Sequence, residues 1–191
     1  MLQTALHFSH TLLKEIIQPG DLVIDATMGN GFDTLFLAEL VGKTGKVYSF
    51  DIQEQALLTT RKKLVESGLD TRVKLFLQGH ETIGEILNLD VPVKAAIFNL
   101  GYLPKSDKSI ITLPNTTKRA LDEILLRLTP RGRLLIVAYY GHDGGMDELS
   151  MVRNYCESLP QEQFNVLNYQ FINQKNQPPI LFCIERKKKS E

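Results

Sequence analysis

The chain has 191 residues, 43% of them apolar, and its 22 basic side chains balance 22 acidic ones. That length and apolar share suit one domain over 1–191 with a substantial core, and a net charge of zero leaves no global field to draw the protein onto nucleic acid, so any RNA contact must come from local patches. No apolar run approaches the roughly 20 residues a membrane-spanning helix needs, and the first residues lack the pattern of a signal peptide, which points to a cytoplasmic protein with no membrane partner.

Strand-like and helix-like segments alternate along the sequence. A first helix over about 9–17, apolar at Leu12, Leu13, Ile16 and Ile17, stops at Pro19-Gly20 and feeds a strand at 22–26. Asp25 ends that apolar run, and a glycine turn, Met28-Gly29-Asn30-Gly31, follows at once. Both glycines can take the positive φ of a tight strand-to-helix turn, and without side chains they let a ligand lie against the backbone. A helix then runs to about Val41. The second strand, 46–51, closes on Asp51, twenty residues past Gly31; a carboxylate there can hold the two ribose hydroxyls of an adenosine.

Next come a helix over 54–67 stopped by Gly68, a strand at 72–78, a short helical segment at 81–87 and a strand at 93–98. A helix over 116–128 ends in the Pro130-Arg131-Gly132 turn, which leads to a strand at 134–139 and a helix over 146–158. Two last strands, 164–171 and 180–185, flank Pro178-Pro179, an order that implies an antiparallel hairpin at the sheet edge. The sum is a doubly wound α/β fold with a mostly parallel, seven-stranded sheet.

Ligands in such sheets bind beyond the carboxyl ends of the strands. The residues there are small or polar: 25–30, Asp51-Ile52-Gln53, Gly79-His80, Asn99-Leu100-Gly101-Tyr102 and Tyr140-Gly141-His142. Loops are polar in any case, so the agreement counts for less than five separate hits. A dinucleotide enzyme would carry a third glycine where Thr34 stands. The acids Asp25 and Asp33 would repel a pyrophosphate but suit the ammonium and sulfonium charges of S-adenosylmethionine. On this reading the donor is held by Asp25, Thr27, Met28, Gly29, Asn30, Gly31, Asp33, Asp51, Gln53, His80 and Asn99.

The run from Asn99 to Tyr102 has the outline of the Asn/Asp-Pro-Pro-Tyr loop of amino-group methyltransferases, with Leu100 and Gly101 in place of the prolines. A carboxamide oxygen there can accept a hydrogen bond from an amine and aim its lone pair, while an aromatic ring stacks on a base. The proton an aliphatic ammonium must lose goes to His142, Tyr102 or solvent, and the sequence does not choose among them. Catalytic candidates are therefore Asn99, Tyr102 and His142. No cysteine stands in a strand-end loop, which argues against a covalent thiolate route; Cys156 and Cys183 read as core residues. His7, His10, His80 and His142 lack metal-ligand spacing, and His7 and His10 read as exposed or capping residues. Lys105, Lys108, Lys118 and Arg119 are candidates for phosphate contact, and the basic stretch 186–189 reads as a solvated end.

The runs Asp25-Ala-Thr-Met-Gly-Asn-Gly31, Phe50-Asp-Ile-Gln53, Phe98-Asn-Leu-Gly-Tyr-Leu-Pro104 and Gly141-His-Asp-Gly-Gly145, with Asn173-Gln174 and Pro178-Pro179, resemble the MnmM, or YtqB-like, family over nearly the whole chain. Tyr140 and Phe32 stand where that family often has proline and histidine. The resemblance implies a class I (Rossmann-like) methyltransferase that uses S-adenosyl-L-methionine. It also implies the substrate, the anticodon region of tRNA, where 5-aminomethyl-2-thiouridine at wobble position 34 becomes its N-methylated form. A homodimer is left open. The competing expectations are a methyltransferase for rRNA or a small amine, a nucleotide- or RNA-binding module without turnover, and a nicotinamide enzyme on the same fold.

Overall fold

The computed structural model describes residues 1–101 and 111–188. In chain order the elements are α1 (Ala5–Lys14), β1 (Leu22–Asp25), α2 (Phe32–Leu40), β2 (Lys46–Asp51), α3 (Glu54–Glu66), β3 (Val73–Leu77), α4 (Ile83–Ile86), β4 (Val93–Leu100), α5 (Pro114–Arg127), β5 (Leu128–Ala138), α6 (Gly145–Ser158), β6 (Phe164–Tyr169) and β7 (Ile180–Arg186). The strands form one seven-stranded sheet in the order β3-β2-β1-β4-β5-β7-β6. The first five strands pair in parallel, and β7 pairs antiparallel with both β5 and β6. The expected mostly parallel, doubly wound fold with an antiparallel terminal hairpin is what the chain adopts.

Alternation along the strands builds two apolar layers. Val23, Val47, Ala95, Ile97, Leu135 and Val137 face α1, α2 and α3, whereas Ile24, Phe50, Ala96, Phe98, Leu134 and Ile136 face α4, α5 and α6. The central strands β1, β4 and the second half of β5 are buried on both faces, as a sheet covered by helices requires. β1 pairs with β2 on one side and β4 on the other, so the chain changes direction across the sheet at β1 and opens a crevice above the ends of β1 and β4.

Among the boundaries that differ from the sequence reading, two have a plain physical reason, and the terminal hairpin shows an order the sequence left open. Helix α1 begins four residues early because Thr4, not Ser9, caps it: the Thr4 hydroxyl accepts a bond from the His7 amide, while the Ser9 hydroxyl turns back to the Leu6 carbonyl. Strand β5 starts at Leu128, and the Pro130-Arg131-Gly132 turn survives as an interruption inside it. The pairing jumps from Val93–Leu128 to Ala95–Arg133, and Arg131 has φ of 60°. The terminal hairpin lies at the sheet edge as expected, with the later strand on the inside. The fully apolar start of β7 is buried between β5 and β6, and β6, exposed along most of its length, takes the edge.

Cys156 and Cys183 are buried and unpaired, and burial pushes both thiols up to about 12. Arg127 is a buried polar anchor between α4 and α5. It donates to the Leu87, Asn88 and Glu123 carbonyls and pairs with the Glu123 carboxylate at 2.6 Å, with its side chain only 2% exposed. Removing that guanidinium leaves buried acceptors unpaired. Arg127→Ala is expected to lower the unfolding free energy by about 3–5 kcal/mol, read from urea denaturation at an unchanged m-value.

Candidate active site

The turn after β1 is shaped by its glycines. Gly29 and Gly31 have φ of 51° and 79°, and a Cβ on Gly31 would stand 2.5 Å from the Oγ1 of buried Thr60. Helix α3 backs the turn through two side chains. Thr60 donates to the Gly29 carbonyl at 3.3 Å, and Lys63 donates to the Asn30 carbonyl at 2.7 Å while lying 3.8 Å above the Phe32 ring. The Met28 amide donates to the Phe50 carbonyl, which ties the turn to β2.

Asp51, at the end of β2, accepts from the Gly29 amide and from the Gln53 amide, each at 2.9 Å. Burial raises its carboxyl above the usual range, and the bonds from Gln53 and Gly29 oppose that rise. The carboxylate is half-buried, so one side is anchored by backbone while the other faces the crevice. Gln53 precedes the first turn of α3.

Asp25 lies beneath the turn and is fully buried. Thr34 donates to it at 2.6 Å and the Thr27 amide at 3.2 Å, with the Ser49 hydroxyl 3.1 Å from that of Thr34. Burial, then the negative field of Asp33, pushes the Asp25 carboxyl well above the ordinary aspartate range.

Asp33 stands in the first turn of α2, where a helix N-terminus favours negative charge, and is 7% exposed. It joins two distant segments. His10 of α1 meets one oxygen through Nε2 at 2.6 Å, and the Asn99 amide nitrogen donates to the other at 2.5 Å. The His10 ring is stacked on Phe36 with centroids 4.0 Å apart. This overturns the reading of His10 as an exposed or capping residue. The Asn99 backbone amide donates to the Thr27 hydroxyl at 2.7 Å. Asn99 is thus fixed at two points, and its carboxamide oxygen accepts no hydrogen bond from any described residue.

His80 is 7% exposed and lies against the underside of the β1 turn, its Nδ1 3.1 Å from the Ala26 carbonyl and its Nε2 3.4 Å from the Thr117 hydroxyl. Burial lowers its pKa. Thr117 donates to Glu148 at 2.7 Å, and Thr112 donates to the other Glu148 oxygen at 2.5 Å. Thr112 in turn accepts from the Gly101 amide at 3.0 Å. A polar chain therefore runs from the first turn to the end of β4. The sequence reading missed Glu148, although it lies on the stripe Glu148, Leu149, Val152 and Cys156 that α6 buries. A carboxylate on an apolar stripe was the available signal.

His142 is brought beside the same strand end: a Cβ added to Gly101 would stand 3.7 Å from its Nε2. Tyr102, Lys105 and Lys108 lie outside the described residues. Lys118 and Arg119 are exposed and paired with Asp122 and Glu85 at 2.8 and 3.0 Å. The expected solvated basic end is in part structural, since Arg186 donates to the Leu125 and Leu128 carbonyls and Lys187 to the Gln161 carbonyl. Among the described residues no helix is long and apolar enough to cross a membrane, and no group of three metal-ligating side chains gathers.

A family model described as "Putative rRNA methylase" matches residues 47–185. The chain belongs to that family. The rRNA methylase family member is 38% identical over 191 residues to the chloroplastic tRNA (mnm(5)s(2)U34)-methyltransferase of Arabidopsis thaliana, covering 95% of this chain and 69% of that one. A solved structure from Clostridium thermocellum, described as a putative rRNA-methylase, superposes with a TM-score of 0.94 at 45% identity, over 97% of this chain and 99% of that one. A methyltransferase from Streptococcus mutans, solved in complex with SAH, gives 0.89 at 45% identity over the same shares.

Two outcomes test this site. Gly31→Ala places a side chain at positive φ and against Thr60, so the family member should lose about 2–4 kcal/mol of stability, and S-adenosylhomocysteine affinity measured by calorimetry should fall with it. Burial holds the folded Asp25 carboxyl above its unfolded value. Protonated Asp25 suits the fold, so its contribution is complete at low pH and is lost as pH rises above the ordinary aspartate value of 3.8. Asp25→Asn should therefore gain stability relative to wild type at pH 8 and match it near pH 4, as read from thermal melts across that range.

Proposed function

We propose that the chain is an S-adenosylmethionine-dependent methyltransferase. Its acceptor is the aminomethyl nitrogen of 5-aminomethyl-2-thiouridine at the wobble position of tRNA. The observation that carries this reading is the fixed Asn99: with its amide nitrogen on Asp33 and its backbone on Thr27, it offers at the switch point of the sheet an acceptor oxygen that takes no hydrogen bond from the described residues. The Arabidopsis relative supplies the acceptor by its description, and the SAH complex of the Streptococcus mutans protein supplies the donor.

The residues present fit that donor. The Gly31 position, which admits no Cβ, lets a ligand approach the backbone, and Asp51 turns a carboxylate toward the crevice for paired ribose hydroxyls. Asp33 places negative charge where a sulfonium would lie. Thr27, Met28, Gly29 and Asn30 line the methionine end, Asp25 and His80 hold that loop from beneath, and Gln53 lies beside Asp51. When bound, S-adenosylmethionine supplies an electrophilic methyl group. Asn99 Oδ1 accepts a hydrogen bond from the acceptor amine and directs its lone pair across the crevice. The ammonium must first shed a proton, which we assign to His142 beside Gly101.

The test supplies labelled methyl donor and tRNA carrying 5-aminomethyl-2-thiouridine, beside the same tRNA without the aminomethyl group. Label should enter the first RNA alone. Asn99→Ala should cut single-turnover rate about a hundredfold with little change in cofactor affinity, and Asp51→Ala should weaken S-adenosylhomocysteine binding at least about tenfold. Equal labelling of both RNAs would refute the amine as acceptor, and labelling of rRNA alone would move the reading to that substrate.

A further inference from the structure

A cavity of about 630 Å³ lies beside this site, walled on one side by the N-terminal segment and start of α1 (Met1, Leu2 and residues 4–6) and on the other by Tyr139 after β5 and by Phe171, Gln174, Pro178 and Pro179 of the loop joining β6 to β7. The sheet order fixes its relation to the reaction. Asp51 and the glycine turn stand at the ends of β2 and β1, Asn99 near the end of β4, and the cavity beyond it at the end of β5 and the start of antiparallel β7. Asn99 therefore separates a donor side from an acceptor side.

The two sides also meet through Tyr139. Its amide donates to the Leu100 carbonyl, its Cβ would stand 3.3 Å from one on Gly101, and burial, then the charge of Asp33, raises its hydroxyl above the ordinary tyrosine range. One turn beyond Leu6 on α1 is His10, bonded to Asp33. The walls are braced. The Tyr169 hydroxyl donates to the Gln3 carbonyl at 2.7 Å, Tyr169 packs edge-on to Phe171, and Asn176 and Gln177 hold φ of 68° and 52° just before two prolines. Consecutive left-handed residues followed by prolines cost energy and fix the loop, a pattern found at ligand clamps.

We infer that this cavity receives the acceptor nucleobase, a pyrimidine ring lying against Tyr139 and Phe171 with its polar edge on the Gln174 carboxamide, so that its substituent reaches Asn99. The inference rests on the reading of the protein as a tRNA methyltransferase. It gives Gln174 and the Pro178-Pro179 pair a task that the cofactor site does not. Rigid aromatic and proline walls suit a planar ring, and stacking gives affinity without demanding an exact sequence.

The test measures binding of a fluorescent anticodon stem-loop RNA with uridine at the wobble position, against the same RNA with an abasic nucleotide there. Wild type should prefer the uridine RNA by about tenfold. Phe171→Leu and Gln174→Ala should each reduce that preference to about twofold or less, while S-adenosylhomocysteine affinity, which reports an intact fold and donor site, stays at the wild-type value. Equal binding of the two RNAs by wild type, an undiminished preference in both variants, or parallel loss of S-adenosylhomocysteine affinity would each overturn the inference. A clear base preference in wild type without methyl transfer to the aminomethyl RNA would sink the functional reading and leave the pocket standing.

Discussion

The site is organised around negative charge held at the start of α2. Asp25 and Asp33 lie close enough that the charge of Asp33 opposes ionisation of Asp25, one fully buried and one nearly so. Two like charges in such a place are unfavourable, and the neighbouring chemistry answers them separately. Asp25 is met by the Thr34 hydroxyl and the Thr27 amide, inside the protein. Asp33 is met by the helix N-terminus, His10 and Asn99, at the crevice. The division separates a carboxylate that holds the turn together from one whose field reaches a ligand. Because Asn99 is one of the groups answering Asp33, the orientation of the proposed acceptor-aligning side chain is a by-product of solving the charge problem.

Much of this was legible in the sequence. Gly29 and Gly31 do adopt positive φ, and Asp51 does close a strand beside them, because both features follow from local backbone rules that leave a mark on residue type. The strand-end residues 25–30, Asp51, His80 and Asn99 gather at one edge of the sheet because parallel topology forces every strand to end on the same side. The site was less legible where long-range geometry decides. His10 reads as an unremarkable helix residue until α1 is laid across the sheet. There Arg133 fastens it through the Leu12 carbonyl and Glu15, and His10 reaches Asp33, 23 positions away. Which strand of the terminal hairpin becomes the edge was likewise hidden in a comparison between two segments. The apolar run of β7 and the mixed run of β6 had to be weighed against each other.

The polar chain through His80, Thr117, Glu148 and Thr112 gives the crevice a floor that spans distant parts of the sequence. Its far end pins both sides of the segment after β4, since Thr112 exchanges bonds with Gly101 through its hydroxyl and its backbone amide. The cost of burying Glu148 is lowered by two hydroxyl donors, one on each oxygen. The same carboxylate would gain nothing from an apolar neighbour, which explains why threonines occupy positions 112 and 117 on otherwise apolar surroundings. The turn after β1 and the end of β4 are in this way supported from one hydrogen-bonded scaffold rather than from two.

The position of β7 has a consequence for how the molecule is made. Although β7 is last in sequence, it lies between β5 and β6, and six of its residues pair with each neighbour. A nascent chain that has emerged only as far as β6 holds β5 with an open apolar edge and β6 with no partner in the sheet. Closing the sheet waits for residues 180–186 to leave the ribosome. Until then the exposed edge of β5 is the place where a chaperone, or a second unfinished chain, would pair.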